Sequence, residues 1–262
     1  MECKNCSTIL TTESNYCTAC GGRVIRNRLT LKNLFEHISE TFFNYDNKLF
    51  RTIIYLIKKP EDVIGSYVNG VRKKYVNPIS FFGLSLTLTG LSIFFIKKFY
   101  LKYLGFSSIS NVYSNEVSQN MTQNLTANSL EYSSLIYSAL IPFFAIISFI
   151  IFHKKAYNFT EHIVLYLYSM SLFSLVSVIL GQLILLIIPN QYLLFSFAMY
   201  VLVFFYHCFL LKRIFELSIS ELILKSLLFL VLFFILYIGI SILVVGILIL
   251  TGSMNLQDFT PK

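Results

Sequence analysis

Five long runs of apolar residues dominate the chain after its first third. They cover about residues 79–96, 133–152, 163–188, 192–211 and 226–250. A helix rises about 1.5 Å per residue and the hydrocarbon core of a bilayer is about 30 Å thick, so about 20 apolar residues make one crossing. Each run is close to that length. The pattern therefore predicts an all-α polytopic membrane protein with about five transmembrane helices.

The residues before the first run are patterned as an amphipathic helical arm. From Leu31 to Leu56, apolar residues recur at steps of three and four, and polar residues take the other side. Residues 44–47 offer a helix cap that would divide the arm, and Pro60 ends it. A polar connector, residues 60–78, then leads to the first apolar run. The chain thus divides into a cysteine-bearing head (1–28), the arm with its connector (29–78) and a transmembrane bundle (79–262).

Composition supports the membrane prediction. Hydrophobic residues make up 56% of the chain and charged residues only 13%, whereas soluble domains carry about 25% charged residues. Residues 1–30 contain no apolar stretch of the kind found in a cleavable secretory signal. We therefore expect the N-terminus to stay in the cytoplasm, with the first transmembrane helix acting as an uncleaved insertion signal.

Basic residues gather beside alternate apolar runs. They precede the first run and follow the second and the fourth: Arg72, Lys73, Lys74, Lys154, Lys155, Lys212, Arg213 and Lys225. The positive-inside rule then predicts five spans in a bacterial inner membrane, with a cytoplasmic N-terminus and an external C-terminus. Lys97, Lys98 and Lys102 oppose this assignment, because they follow the first run on the external side. Either these side chains snorkel to the interface or the run is a re-entrant hairpin.

Four cysteines near the N-terminus form the sharpest chemical signal. They occur as two C-x-x-C pairs, Cys3 with Cys6 and Cys17 with Cys20. Two such turns complete the tetrahedral shell of four thiolates that Zn²⁺ prefers. Two disulfides would require an oxidising compartment, and a thioredoxin-type redox pair is usually single. An iron–sulfur cluster also takes four thiolates and stays as the alternative. The spacing predicts a structural zinc ribbon with no open coordination position.

The ribbon is predicted to bind a protein rather than nucleic acid. It has fewer than thirty residues, so the metal is expected to supply its folding free energy. Its own surface lacks the mixture of basic and aromatic residues that would favour DNA or RNA. The net charge of +8 lies instead beside the apolar runs, where it suits anionic lipid headgroups at the cytoplasmic face.

A motif in the connector carries a family resemblance. It reads Pro60-x6-Tyr67-x2-Gly70-x-Arg72-x2-Tyr75-x2-Pro78 and opens directly into the first apolar run. Together with the N-terminal ribbon, it resembles the bacterial membrane family called domain of unknown function 3667. The likeness covers about the first hundred residues. The five-span layout is also similar, in topology alone, to Yip1-like proteins. The resemblance implies architecture and leaves the activity open.

Aromatic and basic residues of the connector form a candidate contact surface. Tyrosine favours the headgroup level of a membrane, and basic residues bind anionic lipids or an acidic partner. The candidates for membrane anchoring and for lipid or partner contact are Tyr67, Arg72, Lys73, Lys74 and Tyr75.

Histidines in and near the apolar runs are weaker candidates. His207 lies deep in the fourth run, where an interhelical hydrogen bond is the expected role and a proton or metal role the alternative. His153 and His162 flank a basic loop and could meet at one membrane face, but a second metal site there lacks a third close ligand. Glu161 could form an acid/base pair with His162, but it is expected mainly to favour a helix N-terminus. The runs contain no Ser/His/Asp or HExxH pattern.

Three functions follow from these patterns. The preferred hypothesis is a non-enzymatic membrane scaffold that recruits a partner through its ribbon. The alternative is a transporter or channel for a small or lipid-like solute, which requires Gln182 and His207 to line a shared cavity. The third is an enzyme acting on lipid, which requires Arg72, His153, Glu161 and His162 to lie together.

Overall fold

The computed structural model describes residues 1–22, 24, 30, 45–100, 116–155 and 157–250. The first half of the predicted arm (31–44), Lys102 and the C-terminal tail lie outside the described residues. The chain forms two compact units, residues 1–47 and 48–262.

Helices account for nearly all of the regular structure in the described ranges. The α-helices are α1 (Tyr45–Lys58), α2 (Pro60–Val68), α3 (Pro78–Phe95), α4 (Glu116–Ile151), α5 (Phe159–Ile187), α6 (Tyr192–Phe215) and α7 (Ile219–Leu250). A π-helical turn, Ile96–Tyr100, continues α3, and a 3₁₀ turn, Pro189–Gln191, precedes α6. In the described part of the chain, β structure is limited to isolated bridges in the head, such as Glu2 with Ile9. The predicted all-α class is confirmed.

Five helices among the described residues are long and apolar enough to cross a membrane. They are Pro78–Tyr100, Ser134–Ile151, Phe159–Ile187, Pro189–Phe215 and Ile219–Leu243. All five predicted runs are therefore confirmed as candidate spans, and the chain is a multi-pass membrane protein. The first run forms one continuous helical segment rather than a hairpin. Lys98 lies within its last turn, with Nζ above the rings of Phe94 (5.8 Å) and Phe99 (5.4 Å).

Helix α4 begins well before its apolar run. Residues 116–133 are helical although they are rich in Ser, Asn and Thr. The apolar run at 133–152 therefore predicts the membrane span correctly, but it does not predict that the helix begins at Glu116.

Proline and asparagine residues fix the starts of the helices. Pro60 and Pro78 stand in the first turns of α2 and α3, where the missing N–H costs no hydrogen bond. The Asn77 side chain accepts a hydrogen bond from the Ile79 N–H (2.9 Å). Helix α5 begins with a capping box between Asn158 and Glu161, in which each side chain accepts from the other residue's backbone N–H.

Helix α5 is the centre of the bundle and packs against α3, α4 and α6. Polar side chains join these helices: Thr89 bonds to Ser174 (2.6 Å), and Gln182 Nε2 donates to Ser92 Oγ (2.6 Å). The Tyr137 hydroxyl donates to the Met170 carbonyl. Helices lack a hydrophobic driving force for association in lipid, so such contacts contribute to their packing.

The second half of the arm and the connector pack onto one end of the bundle. Leu56 of α1 and Val63 and Ile64 of α2 are fully buried. The Tyr206 hydroxyl of α6 donates to the Leu56 carbonyl (2.9 Å), and Tyr168 of α5 donates to the Val76 carbonyl (2.6 Å). This part of the arm is thus a structural element of the bundle.

Candidate metal centre and connector

The first C-x-x-C pair lies on a tight turn. The Ser7 N–H donates to the Cys3 carbonyl (2.8 Å), and the Cys3 N–H donates to the Thr8 carbonyl (2.9 Å). Ser7 has a φ of +57°, in the left-handed region. The Leu10 N–H closes the loop on the Met1 carbonyl (2.7 Å).

The second pair lies on a turn with the same hydrogen bonds, fourteen residues later. The Gly21 N–H donates to the Cys17 carbonyl (2.9 Å), the Cys17 N–H to the Gly22 carbonyl (2.8 Å), and the Val24 N–H to the Asn15 carbonyl (2.9 Å). Gly21 has a φ of +68° and occupies the position of Ser7. The head thus contains a structural repeat of fourteen residues. The equal spacing of the two C-x-x-C pairs is the signal in the sequence that could have predicted it.

The four sulfurs lie close enough to bind one metal ion. Cys3 Sγ is 3.7 Å from Cys20 Sγ, Cys6 Sγ is 3.5 Å from Cys17 Sγ, and all four sulfurs lie within 4.8 Å of one another. Four bonds of about 2.3 Å to a tetrahedral Zn²⁺ place sulfurs about 3.8 Å apart, so the donor set fits a metal of this kind. Among the residues that the structure describes, this is the one group of three or more His, Cys, Asp or Glu with that proximity.

Hydrogen bonds to two of the four cysteines favour the thiolate form that binds metal. The Asn5 side chain and then the Gly22 backbone N–H lower the pKa of Cys20 to about 6. The Thr8 hydroxyl, followed by the Thr8 backbone N–H, lowers the pKa of Cys6. Cys3 and Cys17 are buried with Leu10 in the core of the head, whereas Cys6 and Cys20 are exposed.

The connector turns sharply after α2. Gly70 has a φ of +88°, its N–H donates to the Tyr67 carbonyl (3.1 Å), and the Val71 N–H donates to the Ser66 carbonyl (2.8 Å). These two bonds form a Schellman motif, which satisfies the last carbonyls of a helix and favours glycine at the left-handed position. The turn explains Gly70 in the connector motif and points the following residues back along α2.

Arg72 is held against Tyr67. Its guanidinium carbon lies 3.8 Å from the centroid of the Tyr67 ring, and its Nη1 donates to the Tyr67 carbonyl (2.9 Å). The Tyr67 ring packs edge-on against Tyr168 of α5, with centroids 6.1 Å apart. A cation–π contact of this kind fixes the arginine at the surface of the bundle.

Asp62 is the hub of the connector. Lys74 Nζ donates to both of its carboxylate oxygens (2.8 Å each), the Tyr75 hydroxyl donates to Oδ2, and Ser66 Oγ donates to Oδ1 (3.4 Å). Partial burial acts to raise the pKa of the Asp62 carboxyl, but the hydrogen bonds from Lys74 and Tyr75 outweigh it and lower that pKa. Burial, and then the bond to Asp62, raise the pKa of Tyr75. The role of Asp62 was not predicted from the sequence, because Lys74 and Tyr75 lie 12 and 13 residues away.

The five connector candidates have different environments. Tyr75 is only 5% exposed and packs against the Tyr55 ring, while Tyr67 is half-buried. Arg72, Lys73 and Lys74 are exposed, and these three cations are the candidates that reach the surface.

The weaker candidates each have partners of their own. His153 is exposed, with Nδ1 3.1 Å from the Ile150 carbonyl oxygen. The Glu161 carboxylate accepts from the Asn158 N–H in the capping box of α5. His162 is buried, with Nδ1 2.9 Å from Ser148 Oγ. His207 Nδ1 lies 2.8 Å from the Val203 carbonyl and Nε2 lies 3.1 Å from Ser169 Oγ on α5. The expected interhelical hydrogen bond of His207 is present.

Basic residues collect at the end of the bundle where the connector packs. Arg213 at the end of α6 pairs with Glu61 (2.7 Å), and Lys155 Nζ donates to the Phe215 carbonyl (3.1 Å). Lys225 Nζ lies 4.5 Å from the centroid of the Phe152 ring. Three separate segments of the chain thus bring Arg213, Lys155 and Lys225 to the same end of the bundle as the exposed cations of the connector. We call this end of the bundle the basic face.

The fold and these sites define a multi-pass helical membrane protein with a four-cysteine site that can hold a metal ion. Residues 46–90 match the model of a family described as Protein of unknown function (DUF3667). The matched segment runs from α1 through the connector into α3, so the predicted resemblance is confirmed there. No curated protein and no solved structure matches the chain.

Proposed function

We propose that the chain is a non-enzymatic scaffold of the bacterial inner membrane that recruits a protein partner through a zinc-bound ribbon. The observation that carries this proposal is the four-cysteine site. Four thiolates complete the tetrahedral shell of Zn²⁺, so a metal held there stabilises the fold and offers no position for a substrate.

Two exposed apolar side chains on the head are suited to partner contact. Ile9 is 82% exposed and Tyr16 is 60% exposed. Large apolar side chains with that exposure on a head of this size favour a protein partner, since aromatic and aliphatic anchors dominate binding energy at interfaces.

The metal is proposed to be zinc and the head cytoplasmic. The basic face supports a cytoplasmic head, because basic residues concentrate on the cytoplasmic side of a membrane protein. Arg72, Lys73 and Lys74 are then placed to contact anionic headgroups. The C-terminus, after five spans, is external.

Metal analysis of the purified chain tests the ribbon. We expect about one zinc ion per chain, lost together with the folded head on treatment with a strong chelator. Iron with inorganic sulfide in place of zinc would support the cluster alternative.

Partner recruitment is tested by cross-linking in the native host, with Ile9→Asp and Tyr16→Asp in the full-length chain. Each should reduce recovery of the cross-linked partner by about tenfold or more, because the substitution places a charge where the partner would bury an apolar side chain. Thr18→Asp adds the same charge to another exposed position of the head and should leave recovery unchanged. Equal recovery from all variants, each with full zinc content, would remove the proposal.

The two other functions receive less support from the geometry. A transporter or channel requires Gln182 and His207 to line one cavity. Gln182 lines a cavity with Ser92, but His207 is not among the described residues that line either of the two cavities discussed in the next subsection. Arg72, His153, Glu161 and His162 make no hydrogen bonds to one another, and each is engaged with the neighbours given above.

A further inference from the structure

Two adjoining cavities lie in the half of the bundle away from the basic face. The smaller, of about 550 Å³, lies between α3 and α5, and the larger, of about 580 Å³, is bounded by α3, α4, α5 and α6. Ser92 and Val178 line both cavities. Each volume falls within the range of small-molecule binding sites, about 300–1,000 Å³.

The walls are mainly aliphatic and aromatic, with a few polar groups between the helices. Thr89 and Ser174 form their hydrogen bond (2.6 Å) at the wall of the larger cavity. Gln182 Nε2 donates to Ser92 Oγ (2.6 Å) at the wall of the smaller one. A long apolar wall with a localised set of hydroxyl and amide groups suits a molecule that is mostly hydrocarbon and carries an uncharged polar group.

The lining also selects against charge. Of the described residues that line the two cavities, none is Asp, Glu, Lys, Arg or His. An ionised ligand in the low dielectric of a membrane span requires a counter-charge. A neutral ligand does not.

The π-helical turn lies at the rim of both cavities. Ile96 lines the larger cavity, and Phe99 and Tyr100 line the smaller one. A π-helical turn shifts the register of the side chains that follow it, and such turns are frequent at functional sites. Here the turn gives both cavities aromatic or aliphatic walls from one short segment.

We propose that these two cavities bind an uncharged lipid that has one long hydrocarbon chain and a hydroxyl or carbonyl group near Ser92. The cavities lie between candidate membrane spans, so a lipid can enter them directly from the bilayer hydrocarbon. The site is separate from the ribbon, so the proposal does not depend on partner recruitment.

The test uses the full-length, metal-loaded chain in lipid nanodiscs with a diazirine-bearing monoacylglycerol as the probe. A diazirine-bearing phosphatidylglycerol of the same chain length serves as the anionic comparison. After irradiation, the labelled peptides are mapped by mass spectrometry. We expect the neutral probe to label peptides of α3 and α5 that line the cavities. The anionic probe should label them about tenfold less.

Ser177→Phe fills the larger cavity from α5 and should reduce labelling there by about tenfold, because an overpacked site excludes the chain. Ser241→Phe makes the same change on the exposed face of α7 and should leave the labelling unchanged. If Ser177→Phe does not yield a monodisperse protein, Ile136→Trp fills the cavity from its exposed rim and carries the same expectation. Equal labelling by both probes, or labelling that the filling variants do not reduce, would overturn the proposal.

Discussion

Two left-handed residues at equivalent positions of the head offer a paired test at the residue scale. A side chain at Gly21 would meet no atom of a non-neighbouring residue within 4 Å of its Cβ, so only the φ of +68° opposes a side chain there. Gly21→Ala should weaken zinc binding by about tenfold, since a non-glycine residue costs about 1–2 kcal/mol in this conformation and metal binding is coupled to folding. Competition with a chromophoric chelator measures the change.

Ser7→Gly is the matched variant in the other turn. Ser7 already has a φ of +57°, so glycine removes strain there and zinc affinity should stay equal or increase. A loss of affinity in Ser7→Gly equal to that in Gly21→Ala would show that the two turns are not equivalent.

Asp62 and its neighbour Glu61 permit a second comparison between residues. Asp62→Asn should lower the free energy of unfolding by about 1–2 kcal/mol, because the carboxylate that accepts from Lys74 and Tyr75 is lost. Glu61→Gln removes the more exposed pair with Arg213 and should cost less than about 1 kcal/mol. Thermal unfolding in detergent measures both.

The pH dependence of the Asp62 variant identifies the cause. The pKa of Asp62 is lowered in the folded protein, so its contribution is present above the ordinary carboxyl value of about 3.9 and is lost as pH falls through the folded value. The difference between the native chain and Asp62→Asn should therefore shrink below about pH 4. A difference that is constant down to pH 2 would assign the effect to packing.

At the scale of elements, the turn after α2 determines how the connector packs. Gly70→Ala should destabilise the protein by about 1 kcal/mol, since its φ is +88° and the Schellman motif requires that conformation. Gly65 lies inside α2, where an added Cβ would meet no atom from outside the local helix backbone within 4 Å. Gly65→Ala should therefore stabilise the protein by up to about 1 kcal/mol. Thermal unfolding of both variants under the same conditions distinguishes the effect of the left-handed conformation at Gly70 from the general effect of replacing a glycine by alanine.

The elements also show what the sequence can and cannot predict. The spans were predictable because each depends on the length of one apolar run, and the metal site because C-x-x-C spacing brings two sulfurs together locally. The packing of Leu56 under Tyr206 was not, because it joins residues 150 positions apart. Asp62 was missed for a similar reason: its bonds to Lys74 and Tyr75 form only after the chain reverses at Gly70. The helical residues 116–133 were missed because their few apolar residues, such as Val117, Met121 and Leu125, stand among many Ser, Asn, Thr and Gln residues.

Orientation in the membrane is a question for the whole molecule. Asn190→Cys, in the turn between α5 and α6, should react with a membrane-impermeant maleimide in intact cells. Lys154→Cys, in the loop between α4 and α5, should react only after permeabilisation, because it is expected on the cytoplasmic side. The reverse pattern would contradict the proposed topology.

The fifth span differs from the other four in its surroundings. None of its 18-residue apolar window is buried, whereas 39% of the corresponding window of α5 is buried. Synthesis proceeds from the N-terminus, so α7 leaves the ribosome after the polar contacts among α3, α4, α5 and α6 have become available. The four earlier helices can therefore assemble first, and the last one joins a core that is already complete.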